Sequence, residues 1–181
     1  MRRKLTWGLL LGAMLVVTAR YATPLQATPG VGFVGTTIAV GRFGEINVFN
    51  ALLPPDFWKS RHHSDLWLSW QKTKGASDVY VQSNVWQPGG STGWHTHPGP
   101  SLIIVTAGTL TVYEGGDRSC TPHRYSANGT NGGNAFLDLG GGDVHVIRNE
   151  GTEVASTIAV QLVPAGADRR IDADVPGNCP F

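Results

Sequence analysis

Apolar residues in this chain come in short runs, alternating or continuous, each soon broken by Gly, Pro, Asn or Asp. No stretch keeps the 3.6-residue period of an amphipathic helix, whereas a period near two recurs from residue 36 to residue 163. That pattern predicts an antiparallel sandwich or barrel. The runs place strands over 36–42, 45–49, 66–73, 78–87, 93–97, 101–106, 109–113, 135–139, 143–149 and 155–163. Ala107-Gly108 and Glu114-Gly115-Gly116 are turn signals that bound a hairpin between them. The stretch 126–134, Ser-Ala-Asn-Gly-Thr-Asn-Gly-Gly-Asn, reads as a flexible surface loop. Residues 51–64, with Pro54-Pro55, read as a short helical turn or an irregular excursion.

Length and composition leave that reading intact. At 181 residues the chain suits one domain with a substantial core, and no linker or repeat divides it. The barrel, with extra strands ahead of it, is expected over 31–165, followed by a tail over 166–181. Trp67, Trp70 and Trp86 are expected to serve burial or an interface, the usual employment of large aromatics.

The first residues change the picture of charge and compartment. Met1-Arg2-Arg3-Lys4 precedes an apolar run from Leu5 to Val17 that is too short to span a bilayer. A basic start followed by such a run is the form of a secretory signal, with cleavage expected after Ala19 or later, up to Ala27. An uncleaved anchor is the competing reading. Taking the three basic residues of 1–19 from the chain's 14 leaves 11 against 13 acidic, a net of −2. No basic patch then remains to suggest nucleic acid, and Arg61-His62-His63, flanked by Asp56 and Asp65, reads as a solvated loop. The expected location is the exterior, periplasm or cell envelope, with no stable membrane insertion once the signal is gone. In that setting Cys120 and Cys179 are expected to form a disulfide. It would enclose 58 residues and, in the chain-entropy account, contribute at most roughly 4 kcal/mol.

The chemistry concentrates in Gly93-Trp94-His95-Thr96-His97-Pro98-Gly99, answered later by Asp143-Val144-His145. Residues two apart on a strand face the same way, so His95 and His97 aim at one space. Gly140-Gly141-Gly142 allows the tight turn that brings His145 to join them. Three imidazoles suit one divalent transition metal such as Fe, Zn, Mn or Cu. Trp94, of opposite parity, should face away from this cage. His123, in a Cys-Thr-Pro-His loop without a partner in view, reads as surface. Glu114, Asp138 and Asp143 fall at turn-like places and are assigned no role.

At these residues the chain resembles the cupin superfamily of small metal-binding barrels. Gly89, His95, His97 and Gly108 match the first family motif, and Gly142, His145 and Asn149 match the second. Ser101 stands where the first motif has Glu, Gly140 where the second has Pro, and Asn134 where it has Gly, with Gly133 next door. The segments Gly-Trp-His-Thr-His-Pro-Gly-Pro and Pro-Gly-Asn-Cys-Pro-Phe are similar to those of secreted bacterial single-domain cupins. The resemblance implies an all-β, cupin-type jelly-roll β-barrel of antiparallel strands, with the metal held by His95, His97 and His145. Ser101 would then hydrogen-bond a metal-bound water or simply fill space.

Three neutral ligands leave a divalent metal its full charge and an open position, which favours small anionic or enolisable ligands. One reading is therefore an exported mononuclear metalloenzyme, an oxygenase or a lyase/isomerase. The alternatives are a non-catalytic module that binds metal or a small ligand, and a structural barrel. A homodimer is compatible with strands 36–73, which are placed to add an edge to a partner's sheet or to shield the barrel's own.

Overall fold

The computed structural model describes residues 28–53 and 66–181. The expected signal (1–19, or to 27), the Pro54-Pro55 excursion and His62-His63 lie outside the described residues. Among the described residues there is no helix, and so none long and apolar enough to cross a membrane.

Among the described residues twelve strands form: β1 (Val31–Phe43), β2 (Asn47–Leu52), β3 (Trp67–Lys72), β4 (Ser77–Ser91), β5 (His95–Thr96), β6 (Ser101–Ala107), β7 (Thr109–Glu114), β8 (His123–Ser126), β9 (Ala135–Asp138), β10 (His145–Arg148), β11 (Ala155–Pro164) and β12 (Ile171–Asp172). One face of the barrel runs β1-β4-β11-β6-β9 and the other β12-β5-β10-β7-β8, all pairs antiparallel. The C-terminal end of β4 joins the two, since Ser91 pairs with Arg148 of β10. This is the double-sheeted barrel expected from the alternation. The β2–β3 hairpin forms a separate two-stranded sheet.

Side chains of one parity fill the space between the faces. Trp86 on β4, Ile103 and Val105 on β6, Leu110 and Val112 on β7, Ile147 on β10, and Ala155 and Ala159 on β11 make the main core. The opposite parity of the first face stays apolar yet exposed at Val34, Leu102, Ile104 and Leu137. Trp67 and Trp70, expected to serve burial or an interface, lie on the β2–β3 hairpin and are exposed in the single chain. Among the described residues no third strand joins this hairpin, and two strands alone offer no core to bury them.

Two strands escaped the sequence reading. His123 lies on β8, paired with Val112, although its side chain is exposed as expected. The tail contributes β12, where Ile171 pairs with Thr96 and Asp172 with His95. Beyond it, a disulfide joins Cys120 to Cys179.

Candidate metal centre

Local backbone geometry decides where the histidines point. Gly93 adopts φ +70°, and a Cβ there would run into the Thr28 carbonyl, so only glycine turns the chain from β4 into β5 at this place. His95 opens β5 and His97 follows it. His145 opens β10 directly opposite His95 in the ladder, and opposed residues on paired strands face the same side. The spacing argument thus holds in three dimensions. His95, His97 and His145 are all buried, and each offers a ligand atom within 4.8 Å of the others'. Trp94, of opposite parity, does turn away. It is 1% exposed, in a second cluster with Tyr113, Val146 and Cys179.

Hydrogen bonding sets the tautomers. His95 Nδ1 donates to the Gly93 carbonyl at 2.9 Å, His97 Nδ1 to the Arg169 carbonyl at 2.7 Å, and His145 Nδ1 more weakly to the Asp143 carbonyl at 3.4 Å. A carbonyl only accepts, so each Nδ1 carries the hydrogen and each Nε2 is left with a bare lone pair. Burial pushes His95 well below the usual imidazole range, reinforced by the electrostatic influence of His145, Arg170 and His97. Burial also lowers His97, against the opposing pull of the Arg169 carbonyl and Asp138. Neutral imidazoles with outward-facing Nδ1–H groups are what a transition metal requires of its histidines. The Nε2 of His145 is buried with no hydrogen-bond partner, an orphan that a cation satisfies. The residues fit a divalent metal.

Two carboxylates set aside as turn residues stand beside the cluster. Asp138 ends β9 and is 6% exposed. Its Oδ2 lies 3.1 Å from His97 Nε2 and 3.5 Å from His145 Nε2. Glu114 ends β7 opposite His145, with its Oε2 shut away from solvent and unpaired. Burial, and then the negative charges of Asp143 and Asp138, push its carboxyl up to about 7. The signal for both was parity. Each continues the inward-facing set of its strand, after Phe136 on β9 and after Leu110 and Val112 on β7. Asp143 remains in the turn before β10.

Ser101, in the position where the motif has Glu, is buried on β6 between Asp138 of β9 and Gln161 of β11. A cavity of about 60 Å³ opens beside the cluster, lined among others by His95, His97, Ser101, Gln161, Trp86 and Arg169. Two of its lining residues carry buried polar atoms without a hydrogen-bond partner, the donor Trp86 Nε1 and the acceptor Gln161 Oε1. Arg169 donates to Gln82 Oε1 at 2.6 Å while also holding His97 through its carbonyl.

A double-faced antiparallel barrel with three inward histidines, two from the β5 turn and one from the start of β10, defines a cupin-type fold. No protein-family model matches the chain, and no curated protein matches it. Among solved structures, it is similar to a cupin superfamily protein from Desulfitobacterium hafniense (13% identity, 47% of this chain and 67% of that one, TM-score 0.39). It is also similar to a protein with a double-stranded β-helix domain from Klebsiella pneumoniae (23% identity, 54% and 75%, TM-score 0.40). A third is a polyketide cyclase from Streptomyces resistomycificus (17% identity, 54% and 64%, TM-score 0.42).

Proposed function

We propose that this chain is an exported metalloenzyme that holds one divalent transition metal through His95, His97 and His145. Its reaction is that of an oxygenase or a lyase/isomerase on a small anionic or enolisable molecule. The observation that carries the reading is the set of three buried, converging Nε2 atoms whose Nδ1 positions are all committed to backbone carbonyls. When bound, the metal supplies Lewis acidity to an oxygen donor of the ligand.

The chain's own groups support the rest. The cavity beside the histidines admits only a ligand of a few atoms. Arg169, and Arg170 next to it, put positive charge on its lining, which favours an anion. Trp86 Nε1–H is free to donate to such a ligand and Gln161 Oε1 to accept from it. Buried polar atoms without partners inside a core favour a ligand site over a purely structural metal. Export is supported by the disulfide, which persists in oxidising compartments.

The test is elemental analysis of the mature protein beside the His95→Ala/His145→Ala double variant. Near-stoichiometric metal, lost in the variant, is expected. Iron would direct assays to oxygen chemistry, and zinc to lyase or isomerase activity. A folded, metal-free protein that iron, zinc, manganese and copper all fail to reconstitute would overturn the reading.

A further inference from the structure

The geometry points to Asp138 as the fourth protein ligand of this metal, delivered from β9 across the strand ladder from Ser101. The inference rests on the metal-binding reading above and goes beyond it by naming a donor at a position for which neither motif specifies a residue. Three observations carry it. First, Asp138 and Ser101 are a directly opposed pair on β9 and β6. Both are buried and share the inward face. A serine at 101 leaves free the space that a longer acidic side chain at that position would take, and the carboxylate enters from the neighbouring strand instead.

Second, the side chain is aimed and held. Asp138 Oδ1 accepts the Gly140 N–H at 2.9 Å. Gly140 itself has φ +64°, and a Cβ there would collide with the Gly99 carbonyl, so the turn after β9 is locked in place. The other oxygen, Oδ2, is then directed at the histidines, 3.1 Å from His97 Nε2 and 3.5 Å from His145 Nε2.

Third, the contact is electrostatically incomplete as it stands. His97 Nδ1 donates to the Arg169 carbonyl, so a neutral His97 has no hydrogen at Nε2 to give. His145 Nδ1 faces the Asp143 carbonyl at 3.4 Å, so its Nε2 is the ring nitrogen turned toward Asp138. Bare imidazole lone pairs then confront a carboxylate oxygen, and Asp138 Oδ2 and His145 Nε2 are both buried without a hydrogen-bond partner. A cation between them satisfies every one of these atoms at once, and a hydrogen bond satisfies only one pair. The metal would carry a net single positive charge with Asp138 bound, rather than the full double charge of a three-histidine site. That retains attraction for a monoanionic ligand and weakens retention of a small anionic product.

The experiment is a titration of cobalt(II) and manganese(II) into metal-free wild type, Asp138→Asn and the exchanged pair Ser101→Glu/Asp138→Ser. Affinity and the cobalt ligand-field absorption are read, and circular dichroism checks the fold of each protein. Loss of affinity by roughly tenfold or more in Asp138→Asn, an altered cobalt spectrum, and recovery in the exchanged pair are expected. Should Asp138→Asn fail to fold, metal affinity in the exchanged pair decides, since it removes the same carboxylate and restores one across the ladder. Unchanged affinity and spectrum in Asp138→Asn, or an exchanged pair that folds without recovering affinity, would overturn the role of Asp138 and leave the three-histidine site standing. A folded wild type that binds neither ion, and that iron, zinc and copper also fail to load, overturns both.

Discussion

At the scale of single residues, the site depends on glycines that hold backbone no other residue accepts. Gly93 is the sharpest case. Replacing it with alanine forces a side chain into the left-handed region, at about 1–2 kcal/mol, and drives Cβ against the Thr28 carbonyl. The backbone N–H of Trp94 donates to Thr28 Oγ1 at 2.6 Å, so the segment pushed aside also anchors the start of the histidine turn. Gly93→Ala should therefore lower stability in urea by more than the conformational penalty alone and weaken metal binding. Equal stability of the two proteins would show that the turn relaxes freely. The histidines themselves were legible because the two-residue spacing of His95 and His97 is a local property of a strand. Asp138 was not, because its role depends on which strand lies beside β6. Nothing local to Phe136-Leu137-Asp138 says that Ser101 is its partner, although an acid at inward parity in an apolar strand was a visible warning.

Among elements, the long strands were readable and the short ones were not. β4 and β11 carry many residues of steady alternation. β8 and β12 have four residues and two, and gain their strand geometry from the neighbour they pair with rather than from their own pattern. The edge strand β1 shows how such an element is fastened. Its register against β4 slips at Thr37/Ala39, and beyond that irregularity Arg42 clamps both oxygens of Asp78 at 2.7 and 2.8 Å. The Gly166 N–H donates to the same carboxylate at 2.9 Å, so the one side chain ties β1, β4 and the turn after β11. The hydrogen bonds from Arg42, and then from Gly166, lower its pKa to about 2 from an ordinary 3.8. A carboxyl depressed in the folded state adds stability that is fully present above its ordinary value and is lost as pH falls toward the folded one. Unfolding free energy should thus fall between about pH 4 and pH 2, and the fall should be shallower in Asp78→Asn. Because Arg42 is largely exposed, high salt should also flatten it. Parallel pH profiles for wild type and Asp78→Asn would remove this carboxylate from any part in acid unfolding.

For the molecule as a whole, the C-terminal tail is a working part of the centre rather than an appendage. Arg169 supplies the carbonyl that orients His97, β12 pairs with His95, and the Ala173 N–H donates to the Trp94 carbonyl at 3.0 Å. What fastens the tail lies further on. Asn178 donates to the Glu114 and Asp117 carbonyls, Phe181 stacks near Trp94 under the Arg148 guanidinium, and the Cys120–Cys179 disulfide closes the loop. Pairing of the two cysteines was predictable from the exported setting, but its connection to the histidines was not. It runs through backbone hydrogen bonds that any residue at 169, and any but proline at 173, could make. Removing the bridge with Cys120→Ser/Cys179→Ser should cost at most roughly 4 kcal/mol by the loop-entropy account. The barrel strands do not pass through the bridge, so the main core should survive at moderate temperature. Metal affinity should nonetheless drop by about tenfold, as it does when a histidine ligand loses the group that orients it. The measurement is a metal titration of the folded variant well below its melting temperature, beside its urea unfolding curve. A variant that loses stability but binds metal as tightly as wild type would mean that the barrel alone positions His97. One that loses affinity while the core stays folded would show that the tail, held by its disulfide, completes the site.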